Sequence, residues 1–265
     1  MRGERGPAYT ASMPDDSSTD AGISPSPASH AGSAGAKRTL PRRQAKTSAA
    51  RDWLVPALLI LLSLVPVAAG AFRLVGLSGG EADTAASARY FADPVPAVLH
   101  IVSASVFCVV GAFQFSPGLR RRKARWHRSA GRLLAPLGLL AALSGLWLTQ
   151  FYPPAEHDGM TLYVMRLILG SVMAACIGMS LLAIRRRDYR AHGSWMTRGY
   201  AIGIGAGTQV LTHVPWMLLG LPFTEHSRAL LMGAGWVINI VVAEWVIHRT
   251  SGARTARPSA SLTST

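Results

Sequence analysis

Apolar residues fall in six blocks along this chain, at 53–75, 94–116, 130–151, 162–184, 199–220 and 229–248. A block of roughly 20 such residues, coiled as a helix, crosses the ~30 Å of hydrocarbon in a bilayer. Lipid offers backbone amides no hydrogen-bond partner, so blocks of this kind have to be helices. The pattern therefore predicts an all-α fold: a polytopic transmembrane bundle of about six helices over residues 53–248. The third block begins with Arg132 one turn inside it, and that side chain can snorkel to the headgroups.

The flanks read differently. Residues 1–52 are rich in Ala, Ser, Gly, Pro, Thr and Asp without apolar periodicity, and such a segment cannot bury enough surface to offset its ordering entropy. It is expected to be a disordered tail that becomes basic near the membrane, with Lys37, Arg38, Arg42, Arg43, Lys46 and Arg51 just ahead of the first block. A cleavable signal peptide fits a long polar leader and a long apolar core poorly. Residues 249–265 are expected to form a second disordered tail.

Charge adds orientation. The formal balance is +14, yet only 15% of residues are charged and 49% are hydrophobic, which points to the membrane class. Of the 27 Lys and Arg residues, 8 precede the first block, 7 lie between Arg120 and Arg132, 5 between Arg185 and Arg198, and 3 follow His248. Those 23 share one side of the predicted bundle, and Arg73, Arg89, Arg166 and Arg228 remain. The acidic residues Glu81, Asp83, Asp93, Glu156, Asp158 and Glu225 sit with that minority. The positive-inside rule then places both termini in the cytoplasm. The same distribution explains the positive balance without nucleic acid, and it lays basic loops against anionic lipid headgroups.

Two of these loops repeat a pattern. Arg120-Arg121-Arg122-Lys123-Ala124-Arg125-Trp126-His127 returns as Arg185-Arg186-Arg187-Asp188-Tyr189-Arg190-Ala191-His192. Orientation explains the arginines, but it does not require histidine in a loop. Two further histidines lie inside blocks. His100 is six residues past Pro94, or ~9 Å below the acidic surface, and His213 is seven residues before Gly220, or ~10 Å below the same surface. Imidazoles on different helices at matched depth suit the two faces of one haem b, with His127 and His192 as a second ligand pair across the bilayer. Arg166, near the outer side, could neutralise a propionate or a substrate carboxylate, or snorkel outward. The bland alternative for His100 and His213 is a hydrogen bond to a neighbouring helix, with Ser103, Gln209 or Thr212 as partners of that kind; for His127 and His192 it is an interfacial place beside arginines, binding lipid phosphate or capping loops.

Lesser features follow the same logic. Gly131, Gly138 and Gly145 recur every seven residues, and Gly170, Ala174 and Gly178, like Gly203 and Gly207, every four. Such spacings suit close helix packing. Pro66 and Pro136 are expected to kink their helices. Glu244 is expected to pair locally with His248 or Arg249, while Gln114 and Asn239 can bond across helices. Cys108 and Cys176 lie inside apolar blocks and suggest neither a disulfide framework nor a zinc site. No P-loop, GxSxG elbow, HExxH or CxxC is present, so soluble-type hydrolase or kinase chemistry is unsupported.

Three stretches resemble the bacterial predicted membrane proteins grouped as domain-of-unknown-function family 2306. They are His100 with Gly111-Ala112-Phe113-Gln114-Phe115, Leu119-Arg120-Arg121 leading to His127-Arg128-Ser129-Ala130-Gly131-Arg132, and Arg190-Ala191-His192-Gly193-Ser194-Trp195-Met196-Thr197-Arg198-Gly199-Tyr200-Ala201. The resemblance covers roughly residues 55 to 248. It departs at Gly193 and Gln209, where members usually carry arginine. It implies a multi-pass protein of a bacterial inner membrane and no particular activity. More loosely, the placement of histidines around a basic loop is similar to di-haem b-type transmembrane cytochromes. Haem b binding with transmembrane electron transfer is thus one expectation; the other is a non-enzymatic transporter or membrane interaction protein. Reporter fusions test the orientation: Ala191 is expected in the cytoplasm and Ser78 on the opposite side, and a cytoplasmic Ser78 overturns the assignment.

Overall fold

The computed structural model describes residues 42–79, 88 and 90–255. Eight α-helices follow one another among the described residues: α1 (Arg42–Ser78), α2 (Pro94–Ala112), α3 (Pro117–Arg122), α4 (Ala124–Phe151), α5 (Met160–Arg185), α6 (Tyr189–Gly203), α7 (Gly205–Leu218) and α8 (Glu225–Thr255). A single 3₁₀ turn, Phe113–Phe115, joins α2 to α3. No strand occurs among the described residues. The all-helical membrane fold expected from the apolar blocks is the one observed. Five helical segments are long and apolar enough to cross a membrane: Asp52–Ser78, Pro94–Phe115, Ala124–Phe151, Met160–Arg185 and Glu225–Ser251.

The blocks and the helices differ in two respects. The first helix begins at Arg42, within the expected polar tail, and α8 runs to Thr255. The rest of both expected tails lies outside the described residues. More telling is the fifth block, 199–220, expected as one crossing. It belongs to two helices of 15 and 14 residues, α6 and α7, which meet at Ile204. Ile204 turns out of regular helix at φ −79° and ψ 2° within Gly203-Ile204-Gly205-Ala206-Gly207. Glycine is the poorest helix former after proline, and three of them in five residues weaken the backbone there.

Both halves of the broken helix run antiparallel along α8. Moving from Arg198 to Thr212, their partners fall from Glu244 through Asn239 and Met232 to Leu231. Asn239 spans the break. Its Nδ2 donates to the Ala201 carbonyl on α6 (3.1 Å), and its Oδ1 accepts from the Thr208 hydroxyl on α7 (2.7 Å). The interhelical role expected of Asn239 is therefore observed, and it repairs backbone polarity where lipid could not.

The core sits among α2, α4, α5 and α6. Phe107 is 2% exposed and Ile177 fully buried, with Leu134, Ala135, Met173, Tyr200 and Ile202 around them. Gly138 and Gly203 let this centre close: a Cβ at Gly138 would lie 2.6 Å from Phe107, and one at Gly203 would lie 3.0 Å from it. The Tyr200 hydroxyl donates to the Cys108 carbonyl at 2.6 Å. Outside the core the surface is apolar, as a hydrocarbon solvent demands, with Leu61, Phe72, Leu211 and Leu230 exposed. Helices α1 and α4 run through Pro66 and Pro136 as continuous elements.

The glycine spacings were only partly about packing. Gly138, Gly145, Gly170, Gly203 and Gly207 each meet a neighbouring helix, whereas Gly131 and Gly178 face open space. Gly207 is the tightest of them, since a Cβ there would come 2.2 Å from the Leu62 carbonyl oxygen of α1. Backbone cannot yield as a side chain tip does. Gly207→Ala is therefore expected to cost about 1–3 kcal/mol through overpacking, read as a lower thermal midpoint in detergent. Gly178→Ala, with room to spare, is expected to leave the midpoint unchanged or slightly raised.

Candidate functional site

The two arginine–histidine motifs each end in the first turn of a new helix. In the first, α3 ends in Arg120, Arg121 and Arg122, the chain breaks at Lys123, and α4 starts at Ala124. In the second, α5 ends at Arg185, the chain turns through Arg187 at φ 60°, and α6 starts at Tyr189. Each histidine is then the fourth residue of its helix. His127 N–H donates to the Lys123 carbonyl and His192 N–H to the Asp188 carbonyl, both at 3.0 Å. Ser116 caps α3 by accepting from Leu119 N–H, and Asp188 caps α6 by accepting from Arg190 and Ala191 N–H at 3.1 and 2.9 Å. Small polar residues ahead of a helix are what fix such corners.

This geometry brings His127 and His192 to one end of the bundle, close enough to interact electrostatically, with Arg120 and Arg128 also within reach of His127. His192 is held by α5. Its Nδ1 lies 2.6 Å from the Ser180 hydroxyl and 3.2 Å from the Ser180 carbonyl, and Ser180 is fully buried. Ser180 was not singled out in the sequence, where one serine within an apolar block carries no signal.

His100 lies between α2 and α4. Its Nδ1 donates to the Ala141 carbonyl at 2.9 Å and lies 3.2 Å from the Ser144 hydroxyl. Gly145 makes room for the ring, since a Cβ there would stand 3.1 Å from its Cε1. His213 lies elsewhere, on α7. Its Nδ1 donates to the Gln209 carbonyl at 2.7 Å, and its ring stacks on Phe223 at 5.9 Å and 18°. It faces a shallow groove lined by Ala206, Gln209, Val210, Val214 and Met217, all from its own helix. Among the described residues no hydrogen bond or ring contact joins His100 to His213. Helix α1 packs against both of the helices that carry them.

The charged residues of the bundle pair over long range. Arg166 donates to Asp158 at 2.6 Å and 3.4 Å, and Arg228 of α8 donates to the same carboxylate at 2.6 Å. The Asp158 side chain is 5% exposed, and those of the two arginines 26% and 28%. Glu244 does not pair with His248 or Arg249 as expected. It accepts from Arg198 of α6 at 2.5 and 2.8 Å, while Arg249 lies over the Trp245 ring. Sequence spacing favours local pairs on one helix. The fold supplies better ones, because charge inside a bundle seeks a bidentate partner across an interface.

Burial alone would raise the Asp158 carboxyl, but hydrogen bonds from Arg166 and Arg228 outweigh it and hold the group below its ordinary value of 3.8. A lowered carboxyl contributes stability that is fully present above the unfolded value and is lost as pH falls through the native one. The thermal midpoint of the wild-type protein is expected to fall as pH drops below about 4. Asp158→Asn is expected to be less stable at neutral pH by on the order of 2 kcal/mol, less than for a fully buried pair because water reaches both arginines. Its difference from wild type should shrink in acid, and a constant offset across that range would refute the assignment.

Residues 97–247 match the family described as predicted membrane protein (DUF2306). No curated protein and no solved structure matches the chain. The matched segment runs from the buried start of α2 through both arginine–histidine corners to the last turns of α8 in the membrane, and on that match the chain belongs to the DUF2306 family of predicted membrane proteins.

Proposed function

We propose that this integral membrane protein binds haem b within its bundle and carries electrons across the bilayer. The observation that supports it best is the state of the imidazoles. Nδ1 of both His100 and His213 donates to a backbone carbonyl, which leaves the lone pair on Nε2. Ligating histidines are oriented in this way, with one ring nitrogen fixed by the protein and the other presented to iron. His100 and His213 would serve at one end, and His127 and His192 at the arginine end, where Arg120 and Arg128 suit propionates. Arg166 already meets Asp158 and has no part in this reading. Haem would supply a one-electron couple, and the chain supplies ligands, ring orientation and a dry surrounding. The arginine end would face the cytoplasm of a bacterial inner membrane, its loops against anionic headgroups.

A second reading has its own observation. A helix interrupted inside the membrane beside buried Thr208 and Gln209 is how many transporters build a substrate site. In that case His100 and His192 are interhelical ties. One absorption spectrum separates the two. Protein purified in mild detergent from haem-replete cells is expected to show a Soret band and sharpened visible bands after dithionite. His100→Ala and His192→Ala should each remove about half or more of the bound haem. A colourless, folded preparation would falsify the haem reading and leave the transporter standing.

A further inference from the structure

The arginine end holds a buried donor that the fold leaves unused. Gln114 sits in the 3₁₀ turn between α2 and α3, and its Nε2 is the one buried side-chain nitrogen or oxygen without a hydrogen-bond partner among the described residues. Protein interiors rarely leave such a group unsatisfied, because it has lost water and gained nothing. The turn itself is tightly fixed. Phe113 meets the Trp126 ring edge-on at 6.3 Å, and Phe115 meets Tyr200 at 4.8 Å. Trp126 is the residue before His127 on α4, and Tyr200 lies two turns beyond His192 on α6. The turn carrying the orphan amide thus bridges the two helices that carry His127 and His192.

A second observation comes from charge. His127 has Arg120, Arg128 and His192 within electrostatic reach. Neither Arg120 nor Arg128 makes an ion pair among the described residues. The acids of this end are engaged elsewhere: Asp52 with Arg121 at 3.7 Å, Asp188 as the cap of α6, and Glu244 with Arg198. Arg120 and Arg128, without an ion pair among the described residues, favour negative charge beside them, and an unused amide N–H calls for an acceptor. One chemical group answers both.

We infer that the arginine end binds an anionic oxygen acceptor, the carboxylate or phosphate of a membrane-borne amphiphile, and that Gln114 Nε2 donates to it. The carboxylate could come from a haem propionate, in which case the inference deepens the haem reading, or the phosphate from an acidic phospholipid, in which case it is independent of haem. Replacing Gln114 discriminates this from a simple packing defect. With no ligand, Gln114→Met removes an unsatisfied donor and should be neutral or stabilising. With a ligand, the same change removes a bond.

The experiment uses the full chain, delipidated in mild detergent, with unfolding followed by tryptophan fluorescence while haem b or dioleoylphosphatidylglycerol is titrated in, and dioleoylphosphatidylcholine as the zwitterionic control. One of the two anionic probes is expected to raise the wild-type midpoint, with phosphatidylcholine inert. Gln114→Met should need roughly tenfold more of that probe, the loss expected for one hydrogen bond to a charged group. Arg128→Gln, at an exposed position where folding is safe, should weaken the same probe. A response to haem identifies the propionate and one to phosphatidylglycerol the phosphate; either supports the inference, and the lipid response does so even where no Soret band is found. No shift with either probe, or an unchanged titration in both variants, overturns it.

Discussion

A backbone amide in hydrocarbon has only protein to bond with, and Asn239 is where that constraint becomes visible. Most of the bundle meets it by staying helical. At Ile204 the chain does not, and a side chain from α8 supplies bonds on both sides of the break. Everything on α7 depends on that repair, since how α7 departs from α6 sets where Gln209 and Thr212 meet α8 and where His213 lies. Individual interhelical hydrogen bonds in membranes are worth only about 0.6 kcal/mol on average. Their geometry matters here more than their energy, because they choose one bend among several that a glycine-rich segment would accept.

The histidines are positioned by the same economy of polar groups. Three of the four candidate ligands have a fixed ring: Ala141 and Ser144 hold His100, Ser180 holds His192, and Gln209 with Phe223 holds His213. These partners are backbone carbonyls or serines that would otherwise bond within their own helix turn, as Ser144 also does to Leu140. An imidazole so fixed is equally suited to tie two helices and to present one nitrogen to a ligand. The arrangement alone therefore carries either reading, and it is the unused donor of Gln114 that tips the arginine end towards a bound group.

Hydropathy made the all-helical membrane fold and the approximate bounds of five long helices readable, because burial in lipid acts on every residue of a 20-residue block. It was silent on Ile204, since a break costs no apolarity: Gly203, Gly205 and Gly207 read equally well as packing glycines. Long-range pairs were invisible for a different reason. Arg198 and Glu244 are 46 positions apart and Arg228 and Asp158 are 70 apart, and nothing local records which helix faces which. The repeated arginine–histidine motif was readable as sequence, and the fold added what the letters lacked, namely that both copies start a helix with histidine as its fourth residue.

Helix α8 carries one half of two long-range ion pairs, Arg228 with Asp158 and Glu244 with Arg198, as well as the asparagine that bridges the break. It also leaves the ribosome after the other seven described helices. Until it arrives, Arg198 has no carboxylate, Asp158 has a single guanidinium, and the carbonyl of Ala201 has no side chain to satisfy it. The nascent bundle is thus incomplete in polarity before it is incomplete in size. Membrane quality control that senses unpaired charge would see every chain interrupted before α8 as unfinished, however well its earlier helices had packed.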